Sequence, residues 1–493
     1  MKRALLVLLA TAVLLSAVAC NGDGTVESKA TKDAAETTTT AASPEPAEPA
    51  EPTEPAEPPE PEAEFYAGYA RVDITPTQSV PIESNMSTMV SDKNYATVIA
   101  VSDGETKALF ITTDLRHSKD PILRYTLMAA KKNGVPSDNV FLCATHNHST
   151  ITYDDSNSSA MFKWKKQFQN AIEEGIEAAL ADLTPTTAKI GMAHTENFAF
   201  VRRYIMEDGS FKGIHTNNPS TAYARHETEA DDEMQVIRFE REGARDIVMV
   251  NWQAHPAHAV DMFPTMITSD FVHFFRKDAE KLYDVNFAFF QGASGNINLH
   301  SYVSGKKIYN NYIQVGHALA ERMADALDNM EKVKLGKINV ERMDFDAQVD
   351  HSQDALYDIA LEVYRESDSA KQKELINKYG FQSKYEAISI IQRHNYGATK
   401  VFSLSAISFG DLGFASTPYE MFDTNGMEVK EGSPFKMTFV CSCTNGAWSY
   451  IAADHAYENG GYEVYNCKFV RGTAEKVVGE LLKMLQKQYD TIK

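Results

Sequence analysis

Short apolar runs that break off abruptly in histidine or glycine constrain this chain more than any other feature. Val140-Phe-Leu-Cys-Ala144 runs straight into Thr145-His146-Asn147-His148-Ser149. A run of this length and composition reads as a buried strand. The polar residues beyond it fall where loops carry function. Residues i and i+2 of a strand share a face, so both imidazoles enter one cavity if extended backbone persists. Histidine is the commonest metal-ligating side chain. The plainer reading of either ring is a satisfied polar residue at a strand end. Ala244 to Trp252 repeats the pattern and delivers Gln253-Ala-His255-Pro-Ala-His258. Val285 to Gln291 leads into Gly292-Ala-Ser-Gly295-Asn-Ile-Asn298, where glycine permits close approach of backbone to a ligand. Two such strands in one sheet bring His146 and His255 together.

Around these runs the spacing predicts strands over Ala96–Val101 and Ala108–Thr113, joined by a Ser-Asp-Gly-Glu turn. Helices are expected over Asp120–Lys132, Ala160–Leu183 and near Phe271–Leu282. Asn197 to Phe239 turns polar and contains Arg202-Arg203, a pair able to clamp an anionic or carbonyl group of a substrate, or simply a solvated strand end. Residues 309–395 read as largely helical, with one long helix expected over Ala370–His394. Strands return at Phe402–Phe409, Leu412–Ala415 and Phe439–Cys443, before a closing helix over Thr473–Tyr489. Strands mixed with long helices in this order indicate an α/β fold, a mixed β-sheet with flanking helices.

The N-terminal region follows different rules. Residues 1–20 have a positive start, an apolar middle and small residues before Cys20, the pattern of an export signal. A cysteine after Ala-Val-Ala resembles a bacterial lipoprotein signal, with Ala17 where leucine is usual, and implies lipidation of Cys20 and a membrane anchor. The alternative is secretion. In residues 21–64, twelve acidic residues against two lysines leave −10, half of the whole chain's formal −20. Eight of the eighteen prolines also fall there. Proline at that density with repelling like charges predicts an extended, disordered tether. The remaining residues, 65–493, show no second linker and read as one catalytic unit. No basic stripe is visible, which argues against nucleic acid as a partner. Beyond Cys20, Cys143, Cys441, Cys443 and Cys467 lack Cys-x-x-Cys spacing, so a disulfide rather than a zinc knuckle is the open question.

Several motifs in order resemble the neutral/alkaline non-lysosomal ceramidases. They are Ala67-Gly-Tyr-Ala-Arg-Val-Asp-Ile-Thr-Pro76, Ala144-Thr-His-Asn-His-Ser149, Asn251-Trp-Gln-Ala-His-Pro256 with Thr268-Ser-Asp270, Phe290-Gln-Gly-Ala-Ser-Gly-Asn296, Pro418-Tyr-Glu420, and Tyr450-Ile-Ala-Ala-Asp-His-Ala-Tyr457. The resemblance spans about residues 66–475. It implies one catalytic Zn²⁺ at strand ends, held by His146, His255, Glu420 and Tyr450, with His148 beside it to bond substrate or shuttle a proton. His258, His117 and Glu227 are the competing ligand candidates. The family's serine nucleophile position falls on Asn298, and its further C-terminal β-sandwich has no counterpart here.

The resemblance implies zinc-dependent hydrolysis of an amide in a small-molecule or lipid substrate, by water attack, with Asn298 and Tyr450 assisting and Arg202 and Arg203 binding substrate. Two alternatives stand beside it. One is a zinc hydrolase of another envelope or dietary amide or ester, and the other is a tethered, non-catalytic binding lipoprotein.

Overall fold

Uniformly apolar strands need cover on both faces, and the chain supplies it with helices on one side and a second sheet on the other. The computed structural model describes residues 65–493 except 154–157, 214–220, 305–308, 310, 448 and 493. The expected export signal with Cys20, the acidic segment 21–64 and the Asn217-Asn-Pro219 turn lie outside the described residues.

The first sheet has nine strands. They are β1 (Tyr66–Asp73), β2 (Tyr95–Ser102), β3 (Lys107–Thr113), β4 (Val140–Ala144), β5 (Thr184–His194), β6 (Glu233–Arg241), β7 (Ile247–Trp252), β8 (Asn286–Gln291) and β9 (Glu331–Val333). Their order is β8-β7-β6-β5-β1-β2-β3-β4, with β9 paired on β5. β1 meets β5 only through Tyr66↔Pro185 and Ala67↔Thr184, so the sheet consists of two halves joined at a corner. Helices α1 (Ile122–Lys132) and α2 (Ser159–Ala181) cover one half, and α3 (Phe271–Tyr283) and α4 (Tyr312–Asp328) the other. Ser158 caps α2 by accepting from the Met161 amide, and Asn311 caps α4 through Gln314, each satisfying a donor the helix cannot.

The second sheet is β10 (Ile338–Gln348), β11 (Thr399–Phe409), β12 (Leu412–Ser416) and β13 (Met437–Cys441), in that order. It packs on the first sheet's other face. Phe110 of β3 sits 4.4 Å from Phe414 of β12, ring centre to ring centre, and 6.1 Å from Phe409 of β11. Such ring pairs contribute about 0.5–1.5 kcal/mol each beyond burial. The last helix, Thr473–Asp490, covers the outer face.

Within these two sheets most pairings are antiparallel, but three neighbouring pairs run parallel: β3 with β4, β7 with β8, and β12 with β13. These six strands are almost wholly buried. Ligand sites of α/β sheets form beyond the carboxyl ends of strands, and here those ends lead to Arg116, His146, His255, Asn298, Glu420 and Tyr450.

The mixed sheet with flanking helices is as expected, and Val140–Ala144 matches residue for residue. Other stretches differ. β5 begins at the Thr184-Pro185 expected only to end a helix, β6 starts in the stretch expected to be polar, and β9 and β10 lie within the stretch read as largely helical. β5 and β10 are half exposed, so their side chains do not form the apolar runs that betray a buried strand. The expected helix over 370–394 is two helices, broken where Gly380 turns left-handed (φ 75°) and Ser383 caps the second. Cys143, Cys441, Cys443 and Cys467 are buried free thiols. Among the described residues no helix is long and apolar enough to cross a membrane.

Candidate metal centre

β4 ends at Ala144, and extended backbone does not persist to His148. His146 instead adopts φ 62°, and the turn swings its ring toward the His255 loop. Left-handed backbone is uncommon for a residue with a side chain and costs on the order of 1–3 kcal/mol unless the surroundings enforce it. Here they do. His146 Nδ1 donates to the Arg116 carbonyl at 2.9 Å, and Cys443 Sγ lies 3.5 Å from the same nitrogen. With Nδ1 protonated, the Nε2 lone pair faces inward.

The three imidazoles converge. Ring centres stand 4.8 Å apart for His146 and His255, 5.0 Å for His146 and His148, and 5.7 Å for His148 and His255. One nitrogen of each lies within 4.8 Å of those of the other two, a cluster able to hold a metal ion. Glu420 enters from the second sheet. Its Oε2 is 3.3 Å from His146 Nε2 and 3.3 Å from His255 Nε2. Neither contact has hydrogen-bond geometry, and Glu420 Oε2 and both His255 nitrogens are buried without a hydrogen-bond partner.

Buried polar atoms are rarely left so. The spacing offers a reason. Ligands about 2.0–2.1 Å from a tetrahedral zinc stand about 3.3–3.4 Å from one another. The donor set, two imidazoles and a carboxylate, also suits that ion.

Protonation agrees. Burial, then the charge of Arg202, pushes the His255 imidazole down to about 4, and burial, then Arg116, holds that of His148 well below its ordinary range. Burial alone would raise the Glu420 carboxyl, but His146 and His255 outweigh it and hold the group well below the usual carboxylate range. Neutral imidazoles beside a carboxylate are the form a metal binds.

Glu420 is placed by a two-residue parallel pairing, Glu420–Met421 against Tyr450–Ile451. Gly295 presses on it: a Cβ there would stand 2.7 Å from the Glu420 carbonyl, so only glycine permits the approach. Tyr450 points its hydroxyl at Arg202, whose Nη2 donates to it at 3.0 Å. Burial, then the charge of Glu420, pushes its phenol well up.

Arg202 ties the two sheets together. It donates to Glu463 Oε1 (2.8 Å), to the Gly295 carbonyl (2.8 Å) and to Asn298 Oδ1 (3.4 Å). Arg203 bonds other protein groups. It is fully buried, bonded to Glu227 at 2.5 and 3.1 Å and to the carbonyls of Gly460 and Ala456, with Glu463 Oε2 at 3.3 Å.

Of the competing candidates, Glu227 is engaged by Arg203 and by Asn459 at 2.8 Å. The His117 ring lies 5.9 Å from that of His146, and the His258 ring packs 6.2 Å from His300. Two site residues escaped the sequence reading. Glu83 Oε1 stands 3.0 Å from His148 Nδ1 and accepts from Arg116 Nη1 at 2.5 Å. Arg116 lies three residues beyond β3, so the strand-end argument that found His146 applies to it too. Glu83 lies between two two-residue strands, with φ 49°, and carries no such signal.

No protein-family model and no curated protein sequence matches this chain. Solved structures do. The crystal structure of neutral ceramidase from Pseudomonas aeruginosa superposes with a TM-score of 0.63 at 16% identity, over 86% of this chain and 74% of that one. A ceramidase complexed with C2 gives 0.63 at 16% identity, over 87% and 76%. Around its buried histidine cluster, the chain has the neutral ceramidase-like fold.

Proposed function

We propose that this chain is a zinc-dependent hydrolase of an amide bond, acting on an N-acyl lipid or a related small amide. The observation that carries the reading is the convergence of His146 Nε2 and His255 Nε2 on Glu420 Oε2 at 3.3 Å without hydrogen bonds. The likeness in fold to ceramidases supplies the class of bond. A zinc ion held there by His146, His255 and Glu420, with Tyr450 beside them, would supply Lewis acidity and lower the pKa of water toward neutrality.

The chain's own residues supply the rest. Glu83 orients His148 with Nδ1 toward the carboxylate, leaving Nε2 to take or return a proton. Asn298, its carbonyl oxygen toward Arg202, has an NH₂ to donate to a developing oxyanion. A carboxamide forms no acyl ester, so water adds directly to the carbonyl carbon. The C–N bond then breaks, the amine nitrogen takes the proton, and a carboxylate and an amine leave. Arg202 holds Tyr450 and Asn298 in place. Arg203, saturated by protein groups, holds Glu463 rather than substrate.

Purified protein should release amine from N-acyl amides, lose that activity to a chelator and regain it with zinc. Undiminished activity after metal removal would contradict the reading. We also infer export and anchoring through Cys20, with residues 65–493 carrying the chemistry. Cys20→Ala should release the protein from membranes, and unchanged association would point to an uncleaved anchor instead.

A further inference from the structure

Arg116 is a cation with donors to spare beside the histidine cluster. The loop that carries it is fixed on both sides. The Leu115 carbonyl accepts from the Asn147 amide at 3.1 Å, and Ser118 Oγ lies 2.6 Å from the carbonyl oxygens of both Cys443 and Gly446. The Arg116 carbonyl orients His146, so this backbone is positioned as strictly as the histidine itself.

The side chain is 28% exposed and bonds Glu83 through Nη1. Its Nε is buried, so a ligand reaches the guanidinium through Nη2, which has no acceptor among the described residues. A guanidinium offers five N–H donors in a fixed fork. Glu83 is shared with His148, and Glu420 stands between the two ligand histidines. Glu83 and Glu420 are therefore already committed, and Arg202 and Arg203 spend their charge on Glu463 and Glu227. An open guanidinium nitrogen facing no acceptor is the kind of group that a carboxylate matches.

We propose that Arg116 binds a carboxylate of the substrate, so that the site takes an N-acyl amino acid in preference to a neutral lipid amide. This rests on the amide-hydrolase reading for turnover but not for binding. The two are separable with one matched pair of probes, N-lauroylglycine and N-lauroylethanolamine. They share an acyl chain and an amide and differ in the carboxylate.

With full-length zinc-loaded protein, kcat/KM should favour N-lauroylglycine by about tenfold or more. In Arg116→Gln that ratio should fall toward one, through KM. In Arg116→Lys, which keeps the charge and loses the fork, it should fall in part. A wild-type ratio near one, or an unchanged ratio in Arg116→Gln, overturns the proposal.

If neither probe is cleaved, the amide-hydrolase reading fails and calorimetry with chelator-treated protein decides the present point. N-lauroylglycine should then bind about tenfold or more tighter than N-lauroylethanolamine, and only while Arg116 is intact. Equal affinities overturn it. If Arg116→Gln does not fold, Arg116→Lys carries the comparison, and an undiminished ratio there counts against recognition by the fork.

Discussion

The two sheets contribute to the centre in different ways. The first sends β3, β4, β7 and β8 to it, and their ends lead to Arg116, the histidines and Asn298, two to seven residues beyond buried strand. The second sends only the parallel pair β12 and β13, and its donors lean on contacts outside that pair. Glu420 lies four residues beyond β12, and Tyr450 nine beyond β13. They depend on a two-residue pairing of their own, on Gly295 pressing from the first sheet, and on Arg202 bridging the two. The first sheet's donors are therefore held by turns anchored at the ends of locked, buried strands, and the second's by polar contacts across the gap. Register is stiff, because each buried strand is locked by its neighbours. Contacts between loops hold only while every partner is present.

The comparison is sharpest when one donor from each sheet is removed. His146→Ala and Glu420→Ala should each abolish metal binding and hydrolysis, since each takes one of three converging atoms. Metal analysis and amine release read both, and full retention in Glu420→Ala would exclude the second sheet from the centre.

The bridge comes next. Glu463→Gln leaves the fully buried Arg202 and Arg203 short of a carboxylate and should cost about 3–5 kcal/mol of stability. Urea unfolding measures it. A change below about 1 kcal/mol would mean that the sheets are joined by packing alone.

A residue beyond the first sheet's β8 follows. Asn298→Ala should raise the barrier by about 2.7–4 kcal/mol if its NH₂ meets the oxyanion. A near-unchanged kcat removes it from the reaction.

The smallest effect concerns what holds the His255 loop. Asp270 accepts from the Ala259 amide at 2.7 Å and caps α3 through the Phe271 amide. Burial, then the nearby acids Asp92 and Asp261, lifts its carboxyl to about 7. The native state thus binds more protons than the unfolded one between about pH 4 and 7, and stability contributed by this group is lost as pH rises through that window. Unfolding of chelator-treated Asp270→Asn should show a flatter dependence there. An unchanged slope would place the titration elsewhere.

How much of this was legible follows from the same contrast. Apolar runs reveal strands buried on both faces, which is why β3, β4, β7, β8, β12 and β13, and with them His146 and His255, were readable. Half-exposed β5 and β10 have no such run. Glu420 and Tyr450 came only from resemblance, because nothing local in Pro418-Tyr-Glu420 marks a ligand. The left-handed turn at His146 was not foreseen, and it changes the reason for convergence: a backbone bend, not alternation along a strand, aims the ring. Arg202 was placed among substrate-binding groups, whereas its donors go to protein oxygens, a pairing that needs contacts some 250 residues apart.

Metal content of the purified full-length protein and of two histidine variants tests the central claim most directly. The account predicts about one zinc per chain in the wild type, none in His146→Ala, and full occupancy with slowed turnover in His148→Ala. Zinc retained in His146→Ala but lost in His148→Ala, or a metal-free wild type that still hydrolyses amides, would contradict it.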